Sequence, residues 1–350
     1  MSGSKTPATD AGKISLTGAG KISVIGAGAW GTALAQMLAT AGRAVTLYAR
    51  EAALAAEIST KHANSRYLAG IPLDPAIRAT AALAEAAEGA EMVLLATPAQ
   101  FARGAMAALH PHLPPDAAVV NCAKGIEIKT GKLLSEAAAE TLPENPYAVL
   151  SGPTFAHEIA RGLPAAVTFA TKAPAARAAR WAQMLSAKAF RPYLSSDVAG
   201  AEIAGAVKNV IAIACGIVEG KGLGLNARAA VMTRGLAEMK RLGCGRGADA
   251  ETFLGLSGLG DLALTCNAMA SRNFSLGFAL GRGEKLEDVL AGRASVAEGV
   301  ATARAIALNA TAFGVEMPIS AAVDGILHHA APIDAVIARL MERDLKTENL

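Results

Sequence analysis

Short apolar runs separated by helical patterns organise the first half of the chain. Residues 21–25 read as a buried strand, 30–40 as a helix with a broad apolar face, and Gly42 as its C-cap. Further strands are predicted at 44–48, 92–96, 117–122, 147–150, 165–171 and 190–194. Strands alternating with helices imply a largely parallel sheet with right-handed crossovers, since a twisted strand feeding a helix packs back onto its sheet only that way. After Ser196 the strand signals stop, and Ala/Leu/Ile/Met helical patterns punctuated by glycine run on.

Composition narrows the classes. At 350 residues the chain has room for two domains, and 52% hydrophobic residues with only 4% aromatics suits tightly packed helices on a buried sheet. A net charge of +3 with no run of five like charges argues against nucleic-acid binding, which needs a clustered basic stripe. Cys122, Cys215, Cys244 and Cys266 are scattered without ligand spacing, so four reduced thiols and no metal are expected. Lys208, Glu219 and Lys221 interrupt the longest apolar helical runs, so no membrane span is expected. The first twenty residues are rich in Gly, Ser, Thr and Ala and lack an apolar signal-peptide core; a flexible extension is expected there.

Gly26-Ala27-Gly28-Ala29-Trp30-Gly31 follows a predicted strand and opens a predicted helix, the context a dinucleotide-binding turn requires. Gly26 allows the tight turn, Gly28 lets backbone approach a pyrophosphate, and Gly31 lets the helix sit close to the sheet. The phosphates would meet free N–H groups and the positive end of the helix dipole. The expected fold is therefore α/β, a Rossmann-type N-terminal domain over 21–195 followed by an all-α domain over 196–350. At the end of the second strand, where an acid usually binds the ribose of NAD, the sequence reads Tyr48-Ala49-Arg50-Glu51. Arg50 suits the 2′-phosphate of NADP, while Glu51 leaves NAD open.

Candidate chemistry lies further along. Lys208 sits inside a helical pattern at 201–218 that is apolar on nearly every face. A buried lysine loses its proton more readily, which suits proton transfer, although a lysine snorkelling at a helix edge would look the same. Asn121 to Gly125 and Ser151 to Ala156 follow strand C-termini, where open α/β sheets bind ligands. Gly258 to Leu262 and Ser271-Arg272-Asn273 gather a carboxylate and anion-binding donors in the helical half.

Together these stretches resemble the NAD(P)-dependent glycerol-3-phosphate dehydrogenase family. The likeness runs from about Lys21 to Met317. It rests on Trp30-Gly31-Thr32-Ala33, Thr97-Pro98-Ala99-Gln100, Lys124-Gly125-Ile126-Glu127, Leu150 to Ala156 and Gly205 to Val210. Asn226, Thr233-Arg234-Gly235-Leu236, Gly258 to Leu262 and Ser271 to Asn273 complete it. The resemblance implies reversible reduction of dihydroxyacetone phosphate to sn-glycerol 3-phosphate with NADP or NAD, supplying glycerophospholipid synthesis in the cytoplasm. It implies Lys208 as the proton carrier, Asp261 as its orienting partner and Lys124 facing cofactor and substrate. Substrate binding would fall to Gly152, Thr154, Ser271, Arg272 and Asn273 as well as the two lysines and Asp261. Gly26, Gly28, Ala29, Trp30, Gly31, Arg50, Ala156, Arg272, Val296 and Glu298 would serve the cofactor. Ala29 departs from the serine common at that position, leaving its backbone N–H for the contact. A homodimer is expected, with the helical half as a candidate dimerisation surface. Two other readings compete: a ketopantoate or 3-hydroxyacid type reductase, which would not need the Ser271–Asn273 cluster, and a dinucleotide sensor without chemistry, which would not need Lys124, Lys208 and Asp261 together.

Overall fold

The computed structural model describes residues 20–292, 297–344 and 347. The expected extension at 1–20 and the cofactor call at Val296 therefore lie, apart from Gly20, outside the described residues. The sheet has eight strands: β1 (Lys21–Ile25), β2 (Val45–Tyr48), β3 (Arg78–Thr80), β4 (Ala90–Leu95), β5 (Ala118–Asn121), β6 (Tyr147–Ser151), β7 (Ala165–Thr171) and β8 (Phe190–Ser195). Their order is β3-β2-β1-β4-β5-β6-β7-β8. Parallel pairing starts from β1 in the centre, which neighbours β2 on one side and β4 on the other. That reversal of strand order leaves a crevice at the C-terminal ends of β1 and β4, the place where doubly wound sheets receive ligands.

One strand differs from the sequence expectation. β3 is only three residues long, with one exposed, one half-buried and one buried side chain, so it carries too little periodicity to be read. β6 and β7 pair antiparallel, the exception in a sheet that is otherwise parallel, as its largely parallel character anticipates. The chain between them forms only the five-residue helix Ala156–Ala160, too little to carry it back along the sheet for a parallel partner.

Strand cores follow burial on both faces. Ile22, Val24, Leu47, Met92, Leu94 and Val120 pack on one side, and Ile25, Val93, Leu95 and Val119 on the other. A sheet covered on both faces has no reason to alternate polar and apolar residues, which is why these strands read as continuous apolar runs.

Past Ser195 the described chain is helical. Its axis is Val198–Gly220, which runs through Lys208 without a break and extends the pattern expected at 201–218. Contrary to the expectation from the interrupting charges, this 23-residue helix is long and apolar enough to cross a membrane. Its apolar stretch is instead 94% buried inside the protein. It crosses Arg272–Gly281 closely because glycines face backbone: a Cβ on Gly216 would lie 2.1 Å from the Phe274 carbonyl oxygen, and one on Gly277 2.0 Å from that of Ile213. No side chain fits at either point, so the crossing brings the start of the second helix against the Lys208 helix.

Candidate active site

The glycine turn is built as its spacing predicts. Gly26 has φ +116°, and a Cβ there would meet the Ala96 carbonyl oxygen at 2.9 Å. A Cβ on Gly31 would lie 1.9 Å from the Gly26 carbonyl oxygen and 3.1 Å from the Ala96 side chain. Gly28, the N-cap of Ala29–Thr40, faces open space, with nothing within 4 Å of where its Cβ would be. No side chain caps this helix, so its first N–H groups are free to meet an anion. The buried Trp30 Nε1 and Thr97 Oγ1 have no hydrogen-bond partner here, as expected of groups that line a ligand site. This cradle fits a dinucleotide pyrophosphate. Arg50 is 84% exposed and 4.0 Å from Glu51, whereas Glu51 is held by Arg66 at 2.6 Å. Arg66, which also lies over the Tyr67 ring, is a cation that sequence reading missed at this edge.

A second cluster gathers residues from four parts of the chain. Lys124 leaves the end of β5, and its Nζ donates to the Gly152 carbonyl at 3.0 Å and to Asp261 Oδ2 at 2.7 Å. Lys208 Nζ donates to the other oxygen of the same carboxylate at 3.0 Å and to Thr265 Oγ1 at 2.7 Å. Gly152, at φ +149°, turns the chain where a Cβ would press on Val167 at 3.0 Å. Thr154 closes this turn by donating to the Gly152 carbonyl. Asp261 starts the short helix Asp261–Cys266, so Thr265 falls one turn later on the same face.

Burial sets the electrostatics. It pushes Lys208 down to about 8, aided by the Lys124 charge and opposed by Asp261. Burial works against ionisation of Asp261, but Lys124 and Lys208 outweigh it and hold the carboxyl below its usual range. The result is a fixed anion between two ammonium groups, one of which sits near neutrality.

Amides join this cluster to the predicted phosphate site. Asn209 Nδ2 donates to the Lys124 carbonyl at 3.2 Å, and Asn273 Nδ2 donates to Asn209 Oδ1 at 2.9 Å. Asn273 Oδ1 accepts from the Gly299 N–H at 3.0 Å. Ser271 caps its helix through the Phe274 N–H, and Arg272 opens that helix with its side chain exposed. Glu298 Oε1 accepts from the Ala99 N–H at 3.1 Å, and burial lifts its pKa to about 6 against the pull of Arg272. Ala29 and Ala156 are the half-buried first residues of their helices. Arg50 stands apart, at the end of β2.

Sequence reasoning missed Asn209, Thr265 and Glu202. Asn209 neighbours Lys208 but points to a different strand loop, which no local pattern reveals. Thr265 was legible as the i+4 partner of Asp261. Glu202 is buried six residues before Lys208 on the same helix and accepts from Ser135, from the Tyr147 hydroxyl at 2.7 Å and from Asn121. Burial lifts it to about 7. Among the described residues no cluster of three metal-binding side chains occurs, and all four cysteines are free.

Known proteins resemble this one along nearly the whole chain. Residues 21–177 match the family model for the NAD-dependent glycerol-3-phosphate dehydrogenase N-terminus, and 197–338 match that for its C-terminus. The NAD(P)+ glycerol-3-phosphate dehydrogenase of Rhodospirillum rubrum is 55% identical over 320 residues, covering 91% of this chain and 91% of that protein. The enzyme of the same name from Caulobacter vibrioides is 54% identical, covering 91% and 96%. The crystal structure of glycerol-3-phosphate dehydrogenase from Coxiella burnetii superposes with a TM-score of 0.89 at 36% identity, covering 93% of this chain and 99% of that one. A ketopantoate reductase from Ralstonia eutropha, the family of the competing reading, shares the fold alone at 18% identity and a TM-score of 0.54. The chain belongs to the NAD(P)-dependent glycerol-3-phosphate dehydrogenase family.

Proposed function

We propose that Lys208, oriented by Asp261 and assisted by Lys124, moves the proton in the NAD(P)-linked interconversion of dihydroxyacetone phosphate and sn-glycerol 3-phosphate, the activity that family membership carries. The observation behind this reading is the single buried Asp261 carboxylate shared by Lys208 and Lys124. Bound nicotinamide supplies or accepts the hydride. The protein's own residues do the rest. Reduction places a growing negative charge on the ketone oxygen, and protonated Lys208 donates to it. In the reverse direction the neutral amine takes the hydroxyl proton. Lys124, on the second oxygen of the same Asp261 carboxylate, would offer its ammonium to the same developing charge, an attraction that a dry site strengthens.

Ser271, Arg272 and Asn273, at a capped helix start, would hold the phosphate by its charge. Binding energy from that remote group would position the carbonyl, with Gly152 and Thr154 at the other end. Gly26 to Gly31, Ala156, Arg272 and Glu298 would hold the dinucleotide, and Arg50 favours NADP through its 2′-phosphate. A sheet-bearing cofactor domain at 21–195 and a helical substrate domain at 196–350 follow this division of labour. The product would feed glycerophospholipid synthesis in the cytoplasm. A homodimer is the expected assembly, with the helical half as the candidate surface, and sedimentation at several concentrations would test it.

The decisive experiment follows NADPH absorbance with dihydroxyacetone phosphate, then with an unphosphorylated ketone, in the wild type and in Lys208→Ala. Turnover confined to the phosphorylated ketone and reduced by about 10²- to 10⁴-fold in the variant is expected. Full turnover of Lys208→Ala, with NADPH binding intact, would overturn the assignment.

A further inference from the structure

Lys124 must be aimed accurately. Its Nζ meets a carboxylate 137 residues away, yet the chain that follows it, up to the turn at Thr130, belongs to no regular element. The helix Ala99–Leu109 supplies the missing order. Gln100 donates its Nε2 to the Ile126 carbonyl at 2.7 Å, and its Oε1 accepts from the Ile128 N–H at 3.1 Å. One side-chain amide thus bonds this loop as a neighbouring strand would. One turn later, Arg103 donates through Nε and Nη2 to the two oxygens of Glu127, each at 2.8 Å. Glu127 is only 8% exposed, and Thr130 also donates to it.

We propose that Gln100 and the Arg103–Glu127 pair form a clamp that positions Lys124 for the reaction. The inference rests on the role assigned to Lys124 above. Arg103 also donates to Glu140 of the helix Leu134–Thr141, so the pair ties the Lys124 loop to two helices at once. Fork-to-fork pairing of a guanidinium with a carboxylate fixes direction as well as distance. Gly125 removes the remaining slack: a Cβ there would lie 2.6 Å from the Ala99 side chain and 3.2 Å from Glu298 Oε2, so the loop lies directly on the helix start. From the other side, Asn209 holds the Lys124 carbonyl. The Thr97 to Gln100 and Lys124 to Glu127 motifs therefore act as one device, in which the first holds the second.

Such a clamp acts through Lys124, so its effects should vanish when Lys124 is gone. Gln100→Leu, Glu127→Ala and Glu127→Gln would each be made in the wild type and in Lys124→Ala. Turnover, KM for dihydroxyacetone phosphate, the pH profile of reduction and NADPH binding by fluorescence would be measured. Gln100→Leu and Glu127→Ala are expected to lower kcat/KM at least tenfold with NADPH Kd within twofold. Glu127→Gln, whose single amide oxygen can accept only one of the two Arg103 bonds, should recover part of that loss. The pH midpoint of reduction should rise, because Lys208 loses a neighbouring cation. In the Lys124→Ala background the same substitutions should change kcat/KM less than twofold. Equal losses in both backgrounds, a loss shared by NADPH binding, or wild-type kcat/KM in the clamp variants would overturn the proposal. An unimpaired Lys124→Ala would instead remove the reading of Lys124 on which it rests. Should Gln100→Leu not fold, the two Glu127 variants carry the same comparison.

Discussion

Lys208 and Asp261 lie 53 residues apart in the chain, yet Nζ and Oδ1 meet at 3.0 Å with both side chains buried. Neither group is stable there alone. An isolated buried ammonium tends to lose its proton, and an isolated buried carboxylate tends to gain one. Paired, they leave Lys208 near neutrality and Asp261 firmly ionised, with Lys124 on the carboxylate's second oxygen. A proton carrier with a pKa close to the working pH is the most efficient kind.

This balance sets the pH dependence of the two directions. Lys208 is protonated below about 8 and neutral above it. On the role proposed for Lys208 reduction needs the protonated form, so kcat/KM for dihydroxyacetone phosphate should fall as pH rises through about 8. Oxidation needs the neutral amine and should rise through the same range. Rate profiles in both directions check this, and parallel profiles would contradict it.

Asp261→Asn should shift that midpoint towards acid. The carboxylate raises the Lys208 pKa by attraction, so its loss lets burial and Lys124 dominate. A shift of about one pH unit corresponds to about 1.4 kcal/mol of lost attraction. Two ammonium groups would also be left facing each other across a neutral amide, and turnover should fall at least tenfold. The reduction profile of the variant gives both numbers.

Arg50→Ala should weaken NADPH about tenfold or more while leaving NADH within twofold. Arg50 is largely exposed with only a distant contact to Glu51, so its removal disturbs no buried network. A bidentate guanidinium–phosphate contact accounts for a loss of that order, about 1.5–3 kcal/mol. Titrating both coenzymes by fluorescence decides it; equal losses would remove Arg50 as the selector.

Gly31→Ala should abolish nucleotide binding or folding. Its Cβ would lie 1.9 Å from a backbone oxygen, and backbone has no rotamer by which to move aside. Relief would require lifting the helix from the sheet, which spoils the turn that holds the phosphates. Gly28→Ala enters open space and should fold normally, with weaker NADPH binding. Thermal unfolding with and without NADPH separates the two cases.

The sequence by itself determined what depends on near neighbours. Seven of the strands, the glycine turn and the Lys208 helix follow from runs, periods and spacings, because burial on a sheet face or around a helix acts residue by residue. The motif resemblance marked Lys124, Lys208 and Asp261 as one set, but which atoms touch was not legible. Tertiary structure alone decided that Lys124 and Lys208 share one carboxylate, that Asn209 turns to the Lys124 carbonyl rather than towards Lys208's partners, and that Gln100 and Arg103 hold the Lys124 loop. It also decided the antiparallel β6–β7 pair and the fate of the 23-residue apolar helix, buried rather than exposed. The reason is common to all of these. Hydrogen bonds and ion pairs between distant segments depend on how sheet and helices pack, and packing geometry leaves no period in the chain.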